Sequence, residues 1–186
     1  MSPLQEQGGP IVKYALIYGG IAGAIVVGII SATIAMDLPS HATSMWVGYL
    51  VMLAALSLIF VGVKRYRDVE CGGVIRFGRA FGLGLGIAAV AALVYVIGWE
   101  AYLAVSGKDF MAEYSAGIID GMRAEGARDA TIAAKQVEMQ RLAESYRDPL
   151  FRMPLTFIEI FPVGLLVALV SAGLLRNPKL MPARAA

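Results

Sequence analysis

Polar and apolar positions are not interleaved along this chain; they are sorted into long blocks. Residues 14–36, 45–63, 80–105 and 155–175 form four apolar runs with no Lys or Arg. A helix of about 20 residues crosses a hydrocarbon layer about 30 Å thick, so each run predicts a membrane-spanning helix. Helices are the expected element because lipid offers no partner to backbone N–H and C=O groups. None of the runs shows the alternation of a barrel strand. The polar block 106–153 reads differently. Phe110, Tyr114, Ile118 and Met122 recur every four residues, and Ile132, Met139, Leu142 and Tyr146 repeat at helical spacing. "AEGARD" between them predicts a turn with Gly126 as a C-cap, and Pro149 stops the second helix. The pattern therefore predicts an all-α fold: a four-transmembrane-helix bundle in one membrane domain. A helical hairpin over about 108–148 occupies the long loop between spans 3 and 4. That hairpin is either a lid or partner-binding cap, or an amphipathic pair packed on headgroups or span ends.

Composition agrees with the pattern. Apolar residues make up 58% of the chain and charged residues 16%, where soluble domains are about half apolar and about a quarter charged. The net charge of +2 gives no reason to expect nucleic acid as a partner. A single cysteine, Cys71, and a single histidine, His41, exclude a disulfide framework and any multi-cysteine or multi-histidine metal site. No Ser/His/Asp, zinc or phosphate-loop motif is present, so neither an enzyme nor a cofactor is expected. The first run exceeds the roughly 7–15 residues of a signal core and only Lys13 precedes it, so it reads as a retained span.

Charge assigns the sides. The link "KRYRDVECGGVIRFGR" (64–79) carries Lys64, Arg65, Arg67, Arg76 and Arg79, whereas the turn "DLPSHATS" (37–44) carries no basic residue. Basic residues beside span ends stay in the cytoplasm, which predicts cytoplasmic N- and C-termini and an external hairpin. Arg176, Lys179 and Arg184 in the tail agree. The basic loop reads as a positive-inside anchor or as a binding site for anionic lipid headgroups. Trp46, Trp99, Tyr102, Phe151 and Phe157 fall at the outer interface; Tyr14, Tyr66, Phe77 and Phe81 fall at the inner one.

Between helices in lipid, close backbone approach does the work that hydrophobicity does in water. Gly19 and Gly23 form one small-xxx-small step, and Gly78, Gly82 and Gly86 form two more. Both stripes predict tight helix packing, within the chain or with a membrane-protein partner or second copy.

Two acids lie inside the runs: Glu100, after Trp99 in "YVIGWEAY", and Glu159 in "FIEIFPVG". Counted from the span ends they are expected at similar depth near the outer face. Three arrangements satisfy them. They face each other in a wet crevice and share a proton or cation; each takes a donor from the hairpin side, such as Arg152 or Arg147; or both reach the headgroups. Pro162 cannot donate to the Ile158 carbonyl, so the helix is expected to bend there and build one polar spot with Glu159. Glu100, Glu159, Pro162, Trp99 and Tyr102 are the candidate polar site.

"KYALIYGGIAG" (13–23), "GYLVMLAALSLIFVGVKRYRDVECGGVIRFGRAF" (48–81), "YVIGWEAY" (95–102) and "FRMPLTFIEIFPVGLL" (151–166) together resemble DUF4199, a domain of unknown function in bacterial integral membrane proteins. The ordered parts are a "KRYRD…GG" loop after the second span, a "WE" ending the third and an "E…PVG" in the fourth. The resemblance implies a four-span protein of the bacterial inner membrane and no assigned activity. Cys71 stands where that family's pattern more often has Asn. Two functions remain open: a small transport-related or accessory protein using the Glu100/Glu159 region, or a structural or assembly factor without a solute path.

Overall fold

The computed structural model describes residues 3–35, 45–107 and 109–182. The predicted turn at 37–44 with His41, Arg184 in the tail and the side chain of Trp46 lie outside the described residues. The described elements are helical throughout: α1 (Pro3–Ala35), α2 (Met45–Leu56), α3 (Leu58–Glu70), α4 (Phe77–Ser106), α5 (Phe110–Ala124), α6 (Asp129–Tyr146) and α7 (Pro149–Leu175). Four stretches are long and apolar enough to cross a membrane: Gly9–Ile34, Gly48–Glu70, Phe77–Ser106 and Pro149–Leu175. The fold is a four-span helical bundle carrying the predicted hairpin, α5–α6.

The spans outrun the charge-free runs because caps end helices, and charges need not. Span 2 was expected to stop at Val63; α3 continues through Lys64, Arg65 and Arg67 to Glu70. Its end is set by Gly72 and Gly73, both at positive φ, which glycine adopts without strain. Span 4 was expected to begin near Leu155; α7 starts at Pro149, behind Asp148, whose side chain accepts from the Leu150 N–H at 2.9 Å. Within span 2 the hydroxyl of Ser57 donates to the Ala54 carbonyl at 2.6 Å, competing with the helix ladder at the α2–α3 junction.

α4 is the central helix and packs along α1 on one side and α7 on the other. α1 and α4 run parallel: Gly19 meets Ile87 and Val90, Gly23 meets Ala91 and Val94, and Val27 meets Gly98. α4 and α7 run antiparallel, with Gly84 against Ala168 and Ala88 against Gly164. These two reciprocal steps, four residues apart on each helix, are small-xxx-small pairs that let the backbones close up. The predicted Gly19/Gly23 stripe is thus an internal seam. The Gly78/Gly82/Gly86 stripe is not: among the described residues nothing lies within 4 Å of a Cβ built on Gly78 or Gly82, and Gly86 meets only the Ala15 Cβ at 3.5 Å. Gly84, offset by half a turn from that stripe, makes the contact instead.

The start of α1, the 71–76 connector and the end of α7 share one end of the bundle. Tyr14 there donates to Glu70 at 3.3 Å and meets the Tyr66 ring edge-on at 5.4 Å. The same end corrects the expected headgroup role of Arg67. Arg67 is fully buried; it donates to Asp68 at 2.7 Å, to the Leu180 carbonyl at 3.1 Å and to the Met181 carbonyl at 2.5 Å. Asp68 also takes Lys64 at 2.5 Å. Arg67 therefore clamps the tail that follows α7, and its donors are spent on protein. Arg65 and Arg76 remain exposed, and Arg79 stands over the Tyr66 ring at 5.8 Å. Arg67→Met is expected to cost about 2 kcal/mol, the scale of hydrogen bonds from a charged donor. Limited proteolysis should then cut within 177–182; an unchanged cleavage pattern would show that the clamp does not hold the tail.

At the opposite end, α5 and α6 are joined through Gly126 at φ 73°, as the turn predicts. The α6 face is the predicted one, with Ile132 and Met139 buried. On α5 the buried residues are Met111 and Ile119, one position along from the predicted stripe. They share a crevice with Met139. Phe110 and Tyr114 are thereby left to face the ends of the spans.

Candidate functional site

Where the hairpin meets the spans, polar and aromatic groups converge. Glu100, six residues before the end of α4, accepts from Arg152 at the end of the first turn of α7. The Arg152 Nε donates to Oε1 at 2.7 Å and its Nη2 donates to Oε2, a two-pronged pair. The third prong, Nη1, donates to the Tyr146 carbonyl at 3.0 Å, and the guanidinium lies over the Tyr146 ring at 5.5 Å. Trp99, 3% exposed, donates its indole N–H to the Tyr146 hydroxyl at 2.8 Å. Arg152 and Trp99 thus latch the end of α6 to the bundle. Burial, first of all, pushes the Tyr146 phenol above its usual range. The Trp99 N–H and the Arg152 charge pull it down, and the Glu159 and Glu100 carboxylates push it up. It stays a neutral hydroxyl at ordinary pH.

The two acids do not meet at one depth, which corrects the expected carboxylate pair. The register that sets Gly84 against Ala168 and Ala88 against Gly164 places Glu100 level with Arg152. Glu159 comes seven residues later on α7, about 10 Å deeper along the helix axis. Counting from run ends failed because α7 starts at Pro149, six residues before its apolar run. Of the three arrangements, the donor pairing holds for Glu100 alone.

Glu159 borders a separate cavity of about 310 Å³ beneath the hairpin. Its walls include Tyr95, Trp99, Phe110, Tyr114 and Tyr146, with Ile30 and Leu155 on the apolar sides. Trp99 and Phe110 meet edge to face at 4.9 Å, and Phe110 stacks with Tyr114 at 5.9 Å. Among the described residues Glu159 makes no hydrogen bond and no ion pair. Its side chain is accessible rather than sealed inside the bundle.

Pro162 does not join this site. It is exposed, does not line the cavity, and α7 runs as one helix through both Pro154 and Pro162. Tyr102 stacks on Trp99 at 5.5 Å, and its buried hydroxyl finds no partner among the described residues.

The model of one protein family, described as "Protein of unknown function (DUF4199)", matches residues 13–177. The chain belongs to the DUF4199 family. No curated protein and no solved structure matches the chain. The matched region of this DUF4199 protein holds most of the first span, the other three spans and the hairpin, so the latch and the cavity lie within the family domain. Tyr146, Tyr95 and Thr156 are site residues that sequence reasoning did not single out. Tyr146 carried the one available signal, as the last member of the α6 stripe.

Proposed function

We propose that this DUF4199 protein is a small transport-related or accessory protein that takes up a proton or a cation at Glu159. One observation carries the reading: a carboxylate about 15 Å inside the end of α7 borders a cavity and has no protein partner among the described residues. A bare carboxylate at such depth is costly, and ionisable groups there mark ion or substrate paths. A proton or a positively charged ligand supplies the missing partner. Glu100 serves a different end, holding Arg152 and with it the hairpin that covers the cavity. The groups named bind and position, and the reading involves no catalysis. On this reading the 71–76 side faces the cytoplasm of a bacterium and the hairpin lies outside the inner membrane, a sidedness supported by the basic residues of the connector.

A second reading, an assembly factor without a solute path, is favoured by one observation. Gly78 and Gly82 present a face of α4 that nothing among the described residues covers, the form a second helix would use. Reconstituted Glu159→Gln protein separates the two. Loss of proton or rubidium flux in vesicles, with an unchanged melting profile in detergent, supports the first. Absence of flux in both forms, with oligomers lost on Gly82→Ile, supports the second.

A further inference from the structure

Resting on the reading of Glu159 as a counter-charge site, we infer that the cavity under the hairpin binds an organic ammonium ion carrying an apolar group.

The walls decide which kind of cation the cavity suits. A metal ion such as sodium must shed water, and it does so only where several oxygens replace that water. The cavity is poor in them. The Thr156 hydroxyl is committed to the Arg152 carbonyl at 3.0 Å and the Tyr146 hydroxyl already accepts from the Trp99 N–H, which leaves the phenol oxygens of Tyr95 and Tyr114, weak ligands for a metal ion, beside one carboxylate. Glu159 is the one carboxylate among the lining residues. A small inorganic cation would be left under-coordinated.

The walls are rich in π faces instead. Tyr95, Trp99, Phe110, Tyr114 and Tyr146 surround the space that Glu159 borders. The right-angled contact of Trp99 and Phe110 turns their ring planes in different directions. Weakly hydrated ammonium groups are held over such faces, and the attraction grows when water is excluded. A volume of about 310 Å³ sits at the small end of ligand cavities and admits one aryl or short alkyl group beside the charged nitrogen. Tyr114, 48% exposed, lines the cavity on the α5 side, and Leu155, 45% exposed, lines it with the exposed Glu159 on the α7 side, so the space is open on both. Arg152 already lies over the Tyr146 ring at 5.5 Å, so a cation on this aromatic cluster has precedent within the molecule.

The test uses full-length protein in maltoside detergent, which has no ammonium headgroup to compete. With Trp46→Phe, Trp99 is the single tryptophan and its emission reports on the cavity wall. The probes are benzyltrimethylammonium, its neutral isostere neopentylbenzene, and rubidium chloride. Saturable binding of benzyltrimethylammonium is expected, with affinity lowered at least about tenfold by Glu159→Gln and about tenfold by Tyr114→Leu. Tyr114→Leu alters a half-exposed ring, so it tests the wall without threatening the fold. Equal binding of neopentylbenzene, insensitive to Glu159→Gln, would overturn the inference by showing a merely greasy pocket. Binding of rubidium, or a Glu159-dependent pH response of Trp99 emission, without binding of the ammonium probe would overturn it while leaving the proton or cation reading standing. No response to any probe or to pH would remove both. Where the ammonium probe binds, displacement by dihexanoyl phosphatidylethanolamine assigns the site to a lipid headgroup, and lack of displacement assigns it to a free amine.

Discussion

Arg152→Met is expected to destabilise the protein by about 3 kcal/mol, the low end of the cost of removing one member of a buried pair. The low end applies because the two side chains keep some access, 14% for Arg152 and 23% for Glu100. The loss has two sources. Glu100 would remain as an uncompensated charge near the end of α4. The Tyr146 carbonyl would lose its donor and the Tyr146 ring its cation, so the end of α6 would come loose. Glu100→Met combined with Arg152→Met should recover most of the stability, since two apolar side chains of similar volume leave no orphan charge. Chemical denaturation in detergent reads the first effect, and protease sensitivity of α5–α6 reads the second. If Arg152→Met melts like the parent and its hairpin stays resistant, the pair is solvated and holds nothing.

Gly23→Ala and Gly82→Ala should have opposite signs, although both replace a glycine in the interior of a membrane helix. A Cβ on Gly23 would lie 2.5 Å from the Ala91 carbonyl oxygen and 2.8 Å from the Val94 Cβ. A backbone oxygen cannot rotate aside, so α1 and α4 must part. Overpacking of this kind costs about 1–3 kcal/mol, more than the gain of about 1 kcal/mol in helix propensity. A Cβ on Gly82 meets nothing within 4 Å. There only the propensity gain remains, and Gly82→Ala is expected to stabilise by up to about 1 kcal/mol. Unfolding in detergent measures both. A destabilising Gly82→Ala would mean that another chain sits on this face, and would move weight to the assembly reading.

The contrast between these glycines shows how far the residue pattern reads. Gly19/Gly23 and Gly78/Gly82/Gly86 are equivalent as spacings, yet one set is a seam and the other lies on the outside. Lipid is as apolar as the core, so hydropathy does not tell which face of a span turns inward. Gly84 and Gly164 pass unnoticed in sequence because their partners, Ala168 and Ala88, lie some eighty residues away. The same limit hid the role of Arg67. A basic residue after an apolar run reads as a surface anchor, and only the return of the 180–181 backbone to that spot turns it into a buried clamp.

Taken alone, the residue order determined the class of protein, the number of spans, the hairpin with its turn at Gly126 and the placement of the start of α1 and the end of α7 at the basic end of the bundle. Each of these depends on local polarity, on helix-stopping residues or on parity, which need no knowledge of neighbours. The tertiary structure alone decided that Glu100 belongs to Arg152, that Glu159 stands about 10 Å deeper, and that five aromatic residues line the cavity it borders. Those outcomes follow from the register in which α4 and α7 slide together. Small residues meeting across two helices set that register, and a shift of seven residues is invisible to any count made along one of them.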